Sequence, residues 1–115
     1  MSGERIPTGL IVEGQLRRLT SESIPAYVIN RGAYAGGLIL LKINTIEEGC
    51  TVLIQQRDLD GELGWMSALG GESTVAESEA DAYIARAVDR DPDLWVIEVE
   101  DRERRNPFEG KVIEL

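Results

Sequence analysis

The chain has 115 residues, 43% of them hydrophobic and 29% charged, which fits one folded domain and is too apolar for disorder. Twelve basic residues against 21 acidic ones give a formal charge of −9, a field that repels phosphate backbones and argues against nucleic-acid binding. With no histidine and a single cysteine, Cys50, imidazole catalysis, the usual zinc sites and an internal disulfide are excluded.

The basic residues cluster at Arg17-Arg18 and at Arg102, Arg104 and Arg105, each time among acids. The N-terminus lacks an apolar signal segment, and no window approaches the 18 apolar residues of a membrane span. A cytoplasmic protein that does not enter the membrane is expected. Cys50, at the head of an apolar run, reads as a small buried hydrophobe.

In chain order, Pro7 and Thr8 open a helical pattern that runs to Leu19 and is weakened by Gly9 and Gly14. Thr20 to Ser23 reads as a loop. Four strands are expected next. The first spans residues 26 to 31, and the second spans 37 to 44. The segment Leu38 to Ile43 is almost continuously apolar, which suggests burial on both faces or cover by a helix. A turn at 45 to 49 makes the third strand, 50 to 56, antiparallel to the second. Asp58 to Glu62 is a hairpin turn, with Asp60-Gly61 suited to positive φ, and the fourth strand covers 63 to 69.

Gly70-Gly71 breaks the chain. Thr74 and Glu77 form a capping box for a helix to about Asp89. Its stripe is Ala76, Ala80, Tyr83, Ile84, Ala87 and Val88. Asp91-Pro92 stops it, and a fifth strand spans 94 to 100 with Trp95, Ile97 and Val99 on one face. The expected fold is α+β, in the order α-β-β-β-β-α-β. A mostly antiparallel sheet of four to five strands carries two helices on one face. Residues 7–103 form one domain, and 104–115 form a tail with little pattern.

Several segments together carry a resemblance. They are Gln15-Leu16-Arg17-Arg18, Asn30-Arg31-Gly32, Ala35-Gly36, Trp65, Gly70-Gly71, the run from Glu79 to Arg86, and above all Asp91-Pro92-Asp93-Leu94-Trp95-Val96-Ile97-Glu98-Val99-Glu100-Asp101-Arg102. The chain resembles a small bacterial family classed as a domain of unknown function. That resemblance spans about residues 7 to 103 and implies no activity, cofactor or catalytic residue. The tail departs from the family pattern.

Glu98 and Glu100 share a strand face at about 7 Å. With Asp101 they are the candidate carboxylates for a divalent cation or for acid–base work. The structural alternative pairs them with Arg102, Arg86 or Arg31. Arg31 to Gly37 is glycine-rich, but it leads into a strand and not a helix, so a tight turn explains it better than an anion cradle. Trp65 is a candidate surface anchor. Trp95 is a candidate for either the interface or the core, and Arg31 for holding an anionic group.

The leading expectation is a non-enzymatic accessory module without cofactor. It would act through a protein partner or as a homo-oligomer, pairing at a sheet edge. A small-molecule or metal-dependent enzyme built on Glu98, Glu100 and Asp101 is the alternative.

Overall fold

The computed structural model describes residues 6–69, 74–103 and 108, and the backbone of 111–112. Gly70-Gly71, Arg104 and Arg105 lie outside the described residues.

Helix α1 spans Thr8–Ser21. It is followed by β1 (Ala26–Asn30), β2 (Ile39–Asn44), β3 (Cys50–Arg57) and β4 (Leu63–Leu69), then α2 (Glu77–Arg90) and β5 (Trp95–Glu100). A two-residue strand, β6 (Lys111–Val112), adds to the expected order. The sheet order is β1-β5-β2-β3-β4-β6. Three neighbouring pairs are antiparallel; β2 with β5 and β4 with β6 are parallel. The fold is α+β and mostly antiparallel.

The two helices cover opposite faces of the sheet, not one. Val12 and Leu19 of α1 pack with Ile39, Leu41, Ile43, Trp95, Ile97 and Val99. Ala80, Ile84 and Ala87 of α2 pack with Leu40, Val52, Leu94 and Val96. Successive strand residues point to opposite faces, so a strand that is buried at successive positions needs cover on both. β2 is such a strand, buried from Ile39 to Ile43. One helix per face is the arrangement that serves it.

Two helix ends differ from the sequence pattern. Thr20 and Ser21 belong to α1, because their hydroxyls donate back to the carbonyls of Leu16 (2.9 Å) and Arg18 (2.7 Å). The capping box at α2 does not form. Thr74 donates instead to the Glu48 carbonyl, and Ala76 takes the N-cap position without a side-chain bond. Val75 exchanges backbone hydrogen bonds with Cys50 at 2.8 and 2.9 Å, so the chain is still bridged to β3 two residues before α2 begins.

The glycine-rich segment is a seat for Trp95. The indole Nε1 donates to the Ala33 carbonyl at 2.8 Å, and the Ala33 amide donates to the Asp93 carbonyl at 3.0 Å. A Cβ on Gly37 would lie 2.1 Å from that same Asp93 oxygen. Gly37→Ala is therefore expected to cost about 2 kcal/mol through forced displacement of backbone. Gly36→Ala, with open space around its Cβ, should stay within about 0.5 kcal/mol of the parent. Thermal melts of the two variants check this, and equal melting temperatures would contradict it.

Candidate functional site

β2 carries one charged residue in its apolar run, Lys42, and its side chain is only 4% exposed. Alternation puts Lys42 on the α2 face, with Leu40 before it and Asn44 after it. A buried ammonium must be paired, and three carboxylates reach it from two other elements. Nζ lies 2.7 Å from Glu77 Oε2, 2.7 Å from Asp81 Oδ1 and 3.4 Å from Glu98 Oε1. Glu77 and Asp81 are four apart on the first turns of α2, hence on one helix face. Glu98 is the register partner of Lys42 in the parallel β2–β5 pair. Asn44 Nδ2 donates to Glu98 Oε2 at 3.1 Å.

Burial opposes the charge on Lys42. The hydrogen bonds to Asp81 and Glu77 and the field of Glu98 more than offset it, so its pKa is raised. The amine stays protonated, and a protonated amine is neither nucleophile nor base. Cys50 lies on the same face, fully buried, and burial pushes its thiol up. It behaves as the small core residue its sequence setting suggests.

Beside this ionic set lies a cleft of about 550 Å³ between α2 and β1. Ile29, Asn30, Ile84, Ala85 and Val88 line it together with Lys42 and its three partners.

Of the carboxylates singled out from sequence, Glu98 belongs to this site, with Lys42 rather than an arginine as its cation. Glu100 and Asp101 do not join it. Their amides donate to the carbonyls of Pro25 (3.0 Å) and Asn44 (2.9 Å), and the Asp101 carboxylate accepts from the Glu103 amide (3.2 Å). Among the described residues, the acidic trio close enough to share one ion is Asp58, Asp60 and Glu62 in the β3–β4 turn. There Asp58 Oδ1 accepts two amides of the turn, at 2.9 Å each. Gly61 has φ 82°, as the Asp60-Gly61 pair suggests.

The expectation of Trp65 as a surface anchor is corrected. Its ring is 2% exposed and stands edge-on to the buried Phe108, centroids 6.2 Å apart. Trp95 is 1% exposed, and the Arg31 guanidinium lies over its ring at 5.3 Å. Arg31 itself is exposed.

The sequence reading missed Lys42, Glu77 and Asp81 as a group. The signal was present: a lysine inside a strand buried on both faces needs acidic partners.

Fold and site define a small α+β domain whose two-faced sheet buries one fully paired lysine. The chain belongs to the family described as "Protein of unknown function (DUF1491)", whose model matches residues 6–109. Two solved structures of a DUF1491 family protein from Caulobacter crescentus CB15 are similar to it. The crystal structure, at 1.87 Å resolution, shares 30% identity over 95% of this chain and 100% of that one, with a TM-score of 0.83. The NMR structure shares 32% over 97% and 100%, with a TM-score of 0.81. The solution structure of protein Atu0922 from A. tumefaciens shares the fold at 20% identity, covering 97% and 98%, with a TM-score of 0.75. No curated protein matches the chain.

Proposed function

We propose that this protein is a non-enzymatic cytoplasmic module that works by protein contact, and that its β1 edge pairs two copies of the chain. One observation carries the reading. β1 is an edge strand with no charged residue between Ala26 and Asn30, and it leaves Tyr27, Val28 and Ile29 exposed at 50%, 40% and 52%.

Edge strands are ordinarily guarded by lysine, proline or a covering loop, because their free N–H and C=O groups invite pairing. Here the guard is partial. Pro25 precedes the strand, and a register shift between Val28 and Asn30 bends its far end. Ala26 to Val28 is the straight part. A two-fold axis there would join two sheets and cover Tyr27 and Val28 of both copies, with Ile29 beyond the straight part. The paired state of Lys42 supports a non-catalytic role. Among the described residues no helix is long and apolar enough to cross a membrane.

Static light scattering tests the pairing. The parent chain is expected at twice its monomer mass. Val28→Lys, which sets a charge on the edge opposite Ile97 and away from the cleft, is expected to be monomeric with an unchanged far-ultraviolet spectrum. A parent chain that stays monomeric at the concentrations used for NMR would overturn the proposal.

A further inference from the structure

The cleft between α2 and β1 has two chemically distinct parts. Ile84, Ala85 and Val88 of α2 and Ile29 of β1 give it apolar walls. Its other part is the ionic set, where three carboxylates face one ammonium. That is a local excess of two negative charges within a chain whose total is −9.

Lys42 takes up the inner oxygens. The outer sides of Glu77 and Asp81 remain in solvent, since their side chains are 53% and 57% exposed. Among the described residues, Lys42 is the cation within ion-pair distance of them. An apolar-walled cleft thus also carries unspent negative charge on two carboxylates one helical turn apart.

We infer that this cleft receives an arginine side chain presented by an apolar segment of another protein. A guanidinium is planar and offers parallel N–H donors, so it can bridge two carboxylates spaced in this way. It is also weakly hydrated, which lowers the cost of bringing it beside a half-buried ionic set. Its aliphatic stem fits the wall of Ile84, Ala85 and Val88, and apolar neighbours in the segment would meet Ile29. The negative field of the whole chain steers such a partner toward the cleft. The inference is independent of the β1 pairing, because it rests on the α2 side of the sheet, whereas Val28 faces α1.

The test is an NMR titration of the ¹⁵N-labelled full chain with a capped tripeptide, Leu-Arg-Leu. Saturating shifts are expected at the amides of Ile29, Asp81 and Ala85. The peptide with citrulline in place of arginine, neutral and of the same shape, should bind about tenfold more weakly. Asp81→Asn should weaken the arginine peptide by a similar factor while leaving the spectrum folded, because Asp81 is half-exposed. Raising the salt concentration should weaken binding of the arginine peptide to the parent.

Equal binding of the arginine and citrulline peptides would overturn the inference, as would the absence of saturating shifts up to the peptide's solubility limit. Free n-butylguanidinium that binds as tightly as the peptide would overturn it in favour of a small-molecule cation. Val28→Lys should leave the titration unchanged, so that failure of the β1 pairing and failure of the cleft inference are read separately.

Discussion

Lys42→Met is expected to lower stability by about 3 kcal/mol at neutral pH. The variant keeps the volume of the side chain but leaves Glu77, Asp81 and Glu98 facing one another without a counter-charge. The figure sits at the low end for a broken buried pair, because Glu77 and Asp81 are half-exposed and water screens them, whereas Glu98 is largely buried.

The pH dependence has a definite sign. The pKa of Lys42 is raised in the folded state. Its contribution is therefore fully present below the unfolded value of about 10.4 and is lost only as pH rises through the higher folded value. Between neutral pH and about pH 9 the deficit of the variant should be constant. Urea unfolding of parent and variant at neutral and mildly alkaline pH measures this. A loss under about 1 kcal/mol at neutral pH would mean that the carboxylates are well solvated without the ammonium.

Trp95→Ala is expected to cost about 4 kcal/mol. The ring is fully buried in the α1-side core, and its Nε1 holds the Ala33 carbonyl. Truncation leaves a cavity beneath the glycine-rich segment and leaves that carbonyl with the Gly37 amide, at 3.3 Å, as its donor. It also removes the platform under the Arg31 guanidinium. Trp95→Phe keeps most of the ring and loses the hydrogen bond, so its cost should be nearer 1 kcal/mol, on the order of one lost hydrogen bond. Denaturant midpoints separate the two, and hydrogen exchange should show faster opening around residues 32–38 in the alanine variant. Equal midpoints for the two variants would place the role of Trp95 in the hydrogen bond alone. Trp65, buried against Phe108, is likewise a stability residue, and its substitution should lower the melting temperature rather than detach a partner.

Local signals in the sequence carried well to the fold. The apolar stripe of α2 at Ala80, Ile84 and Ala87, the β2–β3 hairpin and the limits of β4 all followed from periodicity and turn residues. These depend on near neighbours in the chain, where helix and strand repeats act directly. The α2 cap failed because its residues were claimed from afar: Thr74 by the Glu48 carbonyl and Glu77 by Lys42. A local motif yields when a longer-range partner satisfies the same groups better.

The site was legible in parts and not as a whole. Glu98 stood out as a strand carboxylate, yet its partner was sought among arginines. Lys42 was read as one more member of an apolar strand, although a charge at a doubly buried position announces a partner. The identity of that partner depended on the parallel pairing of β2 with β5 and on the seating of α2 over β2 and β3.

By itself the sequence determined the element types, their order, the acidic surface and the absence of histidine chemistry. Each of these is a property of composition or of short-range repeats. The tertiary structure alone decided that the helices take opposite faces, that β1 is left as an open edge, and that residues 42, 77, 81 and 98 meet. Those outcomes depend on which apolar faces find cover across the whole chain, and no local repeat encodes that choice.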